Sequence, residues 1–168
     1  SLGVLCVTLL LCRNLYYLRN TWKGLIGNWY KMPPVVLELC DDILADTSHE
    51  EKTAVFPFPL NMWVHQYTTE IDIPFAMYRS TYESDETIIS LYDAMMNKGE
   101  DPIDLDEVAM YAKTGHYNYI VLPRTGNFIG NLEENGYMEL ETVGSDVQEA
   151  DSDYEREYVL YSLTEELS

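Results

Sequence analysis

The sequence predicts an α/β fold in which a juxtamembrane helix precedes a three-layer domain with a short, mostly parallel sheet and an antiparallel edge. Three observations support this fold class. Residues 2–12 are apolar without interruption, prolines at positions 33 and 34 end the segment that follows, and helical and strand-like patterns alternate from there onward. Alternating strands and helices favour parallel strands joined by right-handed crossovers. We therefore expect a helix in residues 1–32 and an acidic α/β domain in residues 33–168.

The amino-terminal segment has the composition of a membrane-associated helix. Residues 2–12 are too few to cross a bilayer, which takes about 20 residues. Because the chain starts within this apolar run, we expect the last half of a transmembrane helix; a signal-peptide core and a buried soluble helix are the alternatives. The residues expected at the membrane–water boundary are Tyr16, Tyr17, Trp22 and Trp29. A helix packed on the folded domain would show the same apolar spacing.

Charge divides sharply between the two regions. Residues 1–37 carry four basic side chains and no acidic one, whereas residues 38–168 carry six basic and all 29 acidic side chains. Such an acidic surface excludes nucleic acid as a partner and repels anionic lipid. The acids keep a surface domain soluble, or bind calcium weakly, although no twelve-residue calcium loop is present. Three cysteines without a CxxC pair indicate neither a disulfide framework nor a zinc site. We expect no metal and no cofactor.

The first half of the domain contains two helices and two short strands. Proline suits the first turn of a helix, so a helix is expected from Pro33 or Pro34 to about Ala45. Residues 52–57 predict a buried strand, Asn61 can cap a helix over residues 62–67, and residues 71–73 predict a second strand. The apolar face of the first helix consists of Val35, Val36, Leu39, Cys40, Ile43 and Leu44.

The second half continues the alternation. A helix is expected over residues 86–97, and another follows Asp104 and stops at Gly115. Residues 117–122 form the clearest strand. A short helix over residues 127–134 follows, and two strands over residues 137–143 and 157–163 can pair antiparallel at an edge.

Several segments together resemble a known family. They are PPVVLELCDDILAD with KTAVFPFPL, WVHQYTTEIDIPFAMYRS, VAMYAKTGHYNYIVLPRTGNFIGNLEENGYMELETVG and YVLYSL. These segments resemble the extracytoplasmic carboxy-terminal domain of uncharacterised bacterial multi-pass membrane proteins, which are similar to the C-type glycosyltransferase superfamily. That superfamily uses lipid-linked sugar donors. The resemblance implies a cell-membrane protein with this domain outside the cytoplasm, although basic residues directly after an apolar run usually stay cytoplasmic. It carries over no catalytic residue, because the family's catalytic acid lies in early membrane loops.

The candidate ligand site lies beyond the carboxyl ends of the predicted parallel strands, where open α/β sheets bind ligands. Its residues follow three different strands and are Asn61, His65, Gln66, Tyr78, Arg79, Arg124, Thr125 and Gly126. Arginine suits an anionic or sugar-like ligand. Alternatively, each arginine pairs with a nearby acid such as Glu83 or Glu134. Backbone amides before the helix expected at Asn127 could also receive an anion.

These observations favour a non-catalytic accessory or recognition domain of a membrane-embedded glycosyltransferase-like protein. Its partners would be the membrane, through the amino-terminal segment, and a glycan or lipid-linked sugar. A stand-alone protein-interaction module is the alternative. A soluble Rossmann-like enzyme is a third hypothesis, which the missing glycine fingerprint disfavours.

Overall fold

The computed structural model describes residues 32–58, 60–74, 86–95, 102–144 and 157–164. The chain divides into two units between Met32 and Pro33, and the helices and strands described here belong to the second unit. The predicted juxtamembrane helix and its interface residues Tyr16, Tyr17, Trp22 and Trp29 lie outside the described residues. None of the helices in the described ranges combines the length and apolarity that a membrane span requires.

The described residues form an α/β fold with four α-helices and six strands. The helices are α1 (Pro34–Ala45), α2 (Asn61–Tyr67), α3 (Glu86–Met95) and α4 (Leu105–Thr114). The strands are β1 (Ala54–Val55), β2 (Ile103–Asp104), β3 (Tyr119–Pro123), β4 (Phe128–Ile129), β5 (Tyr137–Val143) and β6 (Tyr158–Leu163).

Helix α1 begins at the double proline, as the sequence predicts. Proline fits the first helical turn because its missing N–H would have no partner there. The amino-terminal cap makes no side-chain hydrogen bond. Burial of one apolar face therefore stabilises α1, at about 1.5–3 kcal/mol for each large side chain. The buried residues are Val35, Val36, Leu39, Cys40 and Ile43.

Helix α4 is fixed by its caps as well as by its apolar face. The Asp104 carboxylate accepts hydrogen bonds from the backbone N–H groups of Asp106 and Glu107 at 3.0 and 3.4 Å. At the other end, the predicted stop at Gly115 is confirmed. A β-carbon at Gly115 would lie 2.5 Å from the Tyr117 ring, so this position requires glycine for close approach.

The main sheet is mixed, with the strand order β1-β3-β6-β5. Strands β1 and β3 are parallel, and β6 lies between β3 and β5 and runs antiparallel to both. The antiparallel pairing of the last two strands is confirmed. The expectation of a mostly parallel sheet is wrong, because β6 pairs with β3 as well as with β5. The predicted strand over residues 71–73 is one parallel bridge, between Thr53 and Asp72.

Side chains of β3 alternate between two environments. Ile120 and Leu122 belong to a buried cluster with residues of α3 and α4, including Leu91 and Val108. Tyr119 points the other way by strand alternation, and its hydroxyl bonds Asp46, just after α1. Each face of β3 is therefore buried against other elements of the domain.

The helix expected over residues 127–134 is absent. Phe128 and Ile129 instead form β4, which pairs in parallel with β2, and only Glu133–Asn135 forms a short 3₁₀ turn. The backbone at Gly130 has φ of 77°, which interrupts any helix there. Tertiary strand pairing thus overrides a weak local helical pattern. A second, local correction concerns Asn61: it is the first residue of α2, and Leu60 occupies the cap position.

Candidate functional site

The predicted ligand residues are distributed between the interior and the surface of the domain. The parallel register of Ala54 with Tyr119 directs the carboxyl ends of β1 and β3 to the same edge of the sheet. On α2, Asn61 is buried, with 2 % of its surface exposed, whereas His65 and Gln66 are exposed. The Gln66 side-chain amide donates to the Met62 carbonyl at 3.1 Å.

Beyond β3, Arg124 pairs with an acid. Its Nε lies 3.4 Å from Oε2 of Glu157, and its backbone N–H donates to the Glu157 carbonyl at 2.9 Å. Thr125 and Gly126 are exposed. No helix starts at Asn127, because strand β4 follows it. The predicted anion site at a helix amino terminus is therefore absent at this position.

The remaining predicted ligand residues, Tyr78 and Arg79, lie outside the described residues. Their proposed contribution to a ligand site stays a prediction.

A polar cluster that the sequence does not predict surrounds the Tyr119 hydroxyl. This hydroxyl donates to Oδ2 of Asp46 at 2.8 Å, and the Lys52 ammonium lies 3.4 Å from it. Lys52 also donates to the carbonyl oxygens of Asp46 and His49. The Ser48 hydroxyl and backbone N–H donate to Oδ1 of Asp46 at 2.7 and 3.0 Å. The cluster therefore ties the loop after α1 to strand β3.

The pKa of Asp46 reports this arrangement. Burial of the carboxyl acts to raise the pKa, but the hydrogen bonds from Ser48 and Tyr119 and the charge of Lys52 outweigh it, so the pKa lies below its ordinary value. Burial and the bond to Asp46 raise the pKa of the Tyr119 phenol. Asp46 is therefore ionised and Tyr119 neutral at physiological pH.

His49 and Ser162 lie as close together as the base and the nucleophile of a serine hydrolase would. The imidazole Nε2 lies 3.1 Å from Oγ of Ser162, and the ring packs edge-on against Tyr119 with centroids 5.3 Å apart. However, Ser162 has 3 % of its surface exposed and lies on β6, between two strands. Because a nucleophile must reach its substrate, we interpret this pair as a structural hydrogen bond. The sequence feature that points to this pair is the serine within the apolar run YVLYSL.

A second feature is an acidic surface at the β5 edge of the sheet. We call it the acidic edge, and it comprises Glu38, Asp41, Asp42, Glu139 and Glu141. A cleft of about 410 Å³ lies between α1 and the end of β5. Its described lining contains no basic side chain; it consists of Glu38, Asp41, Asp42, Glu141, Thr142, Val143 and Gly144.

Four carboxylates of the acidic edge, those of Glu38, Asp41, Asp42 and Glu141, are close enough to affect one another. Partial burial raises the pKa of Asp42, and the negative charges of Glu141, Glu38 and Asp41 raise it further. A bound cation would relieve this repulsion, because opposite charge favours the ionised carboxylate. The acidic edge therefore suits a positively charged ligand.

Apolar side chains accompany these charges. Met138 and Leu140 on β5 are 56 % and 46 % exposed. Tyr67 of α2, which is 40 % exposed, donates a hydrogen bond from its hydroxyl to the Asp41 carboxylate. A partner at this edge would therefore find apolar surface to cover as well as negative charge to pair with.

Two other clefts offer less specific chemistry. One of about 650 Å³ is lined by Glu50, Glu51, Lys52 and Glu70 among others, so a lysine already lies among its acids. A smaller one, of about 240 Å³, lies between α3 and α4. Within the described part of the chain, no group of three or more His, Cys, Asp or Glu side chains could hold a metal ion.

Comparisons of the chain with protein-family models, with curated proteins and with solved structures find no match. The resemblance to glycosyltransferase-like membrane proteins therefore stays a prediction from the sequence. The surface feature with the most specific chemistry is the acidic edge.

Proposed function

We propose that residues 33–168 form a non-catalytic recognition domain that binds a positively charged segment of a partner protein at the acidic edge. The observation that carries this proposal is the cleft in which Glu38, Asp41, Asp42 and Glu141 face one another without a basic residue among the described lining. Attraction between complementary surfaces speeds encounter and selects the partner.

Catalysis has less support from the same residues. The closest approach to a catalytic constellation is His49 with Ser162, and the buried position of Ser162 disfavours substrate access. A partner can reach the acidic edge, because its glutamates Glu38, Glu139 and Glu141 are exposed.

We further propose that the domain has three layers, with α1 and α2 on one side of the main sheet and α3 and α4 on the other. The alternation along β3 supports this arrangement. The parent protein is proposed to be a glycosyltransferase-like membrane protein with this domain outside the cytoplasm, on the grounds of the apolar run at residues 2–12 and the segmental resemblance. Upstream sequence without further hydrophobic spans would reject that part of the proposal. A glycan ligand remains a prediction for residues such as His65 and Arg124.

The recognition proposal is tested by comparing two variants of equal charge. The first variant, E38Q/D42N/E141Q, removes three carboxyl charges from the acidic edge. The matched control, E50Q/E51Q/E70Q, removes three from the cleft that contains Lys52. Binding of a fluorescein-labelled lysine-rich peptide to the full chain is measured by anisotropy. A second peptide with glutamine at the lysine positions controls for charge.

We expect the first variant to bind the lysine-rich peptide about three- to a hundredfold more weakly than the native chain, since each exposed charge pair contributes roughly 0.2–1 kcal/mol. The control variant should bind within about twofold of the native chain. Equal losses in both variants would mean that only bulk charge attracts the peptide, and the recognition proposal would be wrong.

A further inference from the structure

Strand β5 lies at an edge of the main sheet. Among the described residues it pairs with a strand on one side only, where β6 lies, so it forms one end of the main sheet. Its central residues, Met138 to Glu141, are all exposed. An exposed edge strand offers unpaired N–H and C=O groups to which another extended chain can bond.

A bulge in β5 controls where its charges point. Glu139 pairs with Tyr161 and Glu141 with Leu160, with a register shift between them. Residues two apart in a regular strand share a face of the sheet. Across the bulge, however, Glu139 and Glu141 pair with Tyr161 and Leu160, which are adjacent on β6 and therefore point to opposite faces. The carboxylates of Glu139 and Glu141 therefore lie on opposite faces of the sheet.

The electrostatic neighbours of the two glutamates agree with this geometry. Burial and then the charges of Glu139 and Glu133 raise the pKa of Tyr161, whose side chain packs against the cluster containing α3 and α4. Glu141 instead acts on Asp42 of α1. Each face of the β5 edge thus carries its own negative charge.

We propose that β5 binds an extended segment of a partner protein by strand addition, and that this segment carries two adjacent basic residues. The inference rests on the proposed function and specifies its geometry. Successive side chains of an extended strand point to opposite faces, so adjacent basic residues meet Glu139 and Glu141 together. Apolar residues in the same segment cover Met138 and Leu140. Main-chain hydrogen bonds supply affinity, and side-chain pairs supply specificity.

A second copy of this chain is a poor occupant of the same edge. The chain carries a net charge of −19, and an antiparallel copy of β5 would bring glutamates toward glutamates. Like charges opposite each other in a sheet are destabilising, and bulges and charges are the usual protection of edges against self-pairing. A basic segment turns the same charges into attraction.

The test uses three capped synthetic peptides of equal charge and the full 168-residue chain. The first peptide, Thr-Val-Thr-Lys-Lys-Val-Thr-Val, has adjacent lysines. The second, Thr-Val-Lys-Thr-Lys-Val-Thr-Val, has lysines on one face only. The third repeats the first with its four central amides N-methylated, which removes main-chain donors and leaves the charge unchanged. Affinities are measured by calorimetry.

We expect the adjacent-lysine peptide to bind most tightly. The one-face peptide should bind about 1.5- to fivefold more weakly, because it loses one charge pair. The N-methylated peptide should bind at least about fivefold more weakly, because about two of its blocked amides would otherwise donate to β5. The E139Q/E141Q variant should lose about two- to thirtyfold in affinity for the first peptide. The control E50Q/E51Q should bind it as the native chain does.

Different failures identify different errors. If the N-methylated peptide binds as tightly as its parent, and both depend on Glu139 and Glu141, strand addition is overturned while charge recognition stands. If none of the peptides binds, the proposed function fails together with this inference.

Hydrogen exchange of the full chain adds a check without any peptide. Those β5 amides that face away from β6 should exchange faster than the amides of β6, which has a neighbour on each side. Equally slow exchange would mean that the edge is already paired, which would overturn the proposal.

Discussion

Replacing Tyr119 by phenylalanine tests the polar cluster that joins the loop after α1 to the main sheet. The substitution removes the hydroxyl that donates to Asp46 at 2.8 Å and lies 3.4 Å from the Lys52 ammonium. The ring is fully buried, and the phenyl group retains its shape and packing. The change in stability therefore reports on the hydrogen bond rather than on a cavity.

A hydrogen bond to a charged group contributes about 1.5–3 kcal/mol to stability. Asp46 is half-buried and keeps two hydrogen bonds from Ser48, so solvent and these donors compensate part of the loss. We expect Y119F to lower the free energy of unfolding by about 1–2 kcal/mol at pH 7, a large fraction of the 5–15 kcal/mol typical of a domain.

The loss should depend on pH in a defined direction. The folded state holds the pKa of Asp46 below its ordinary value of 3.8. Ionisation of Asp46 therefore stabilises the fold above that pH, and this contribution disappears as the pH falls through the folded pKa. The cost of Y119F should shrink as the pH falls from 7 to 2, because a growing share of folded Asp46 becomes protonated below its ordinary pKa.

Urea unfolding followed by circular dichroism at pH 7 and pH 2 measures both effects. Tyr161→Phe is the matched control, because the Tyr161 hydroxyl makes no hydrogen bond to another described residue; its cost should stay below about 0.5 kcal/mol. A loss below about 0.5 kcal/mol for Y119F at pH 7, or an equal loss at both pH values, would refute the reasoning.

Three further predictions concern single side chains. D42N should raise the free energy of unfolding at pH 7 by a few tenths to about 1 kcal/mol. Because the folded state raises the pKa of Asp42 above its ordinary 3.8, this gain in stability should vanish below about pH 3.8. Destabilisation by D42N at pH 7 would contradict the prediction. Burial raises the pKa of the Cys40 thiol to about 12. In a variant whose other cysteines are replaced by serine, a thiol reagent should therefore react with Cys40 only as fast as the chain unfolds. Rapid reaction of the folded variant would contradict this prediction. G130A should cost about 1–3 kcal/mol in urea unfolding, since φ is 77° and the new β-carbon would lie 2.8 Å from Asp106; an unchanged midpoint would rule out this strain.

Local signals explain which elements the sequence predicts correctly. Helices α1 and α4 have both a periodic apolar face and an end signal, the double proline in one and Asp104 in the other. Strands β5 and β6 have strand-forming runs bounded by turn residues. Residues 127–134 lack such agreement, and their pairing with β2 depends on a segment more than twenty residues away. The insertion of β6 between β3 and β5 is likewise a non-local choice.

The candidate site shows the same limit. Residues at the ends of strands could be placed near one edge from topology alone, but the ion pair of Arg124 with Glu157 depends on where β6 lies. The acidic edge combines α1 with β5, about one hundred residues later, and the opposite orientations of Glu139 and Glu141 depend on a bulge. The net charge predicts an acidic surface, but only the fold brings the acidic side chains of α1 and β5 together.

An amide NMR titration of the full chain with the adjacent-lysine peptide tests the central claim, that the acidic edge is the recognition surface, most directly. The account predicts saturable shifts concentrated in residues 38–42 of α1 and residues 137–144, which weaken as salt is added. Shifts of similar size around Glu50, Glu51 and Glu70, or shifts spread over all exposed acids, would contradict it.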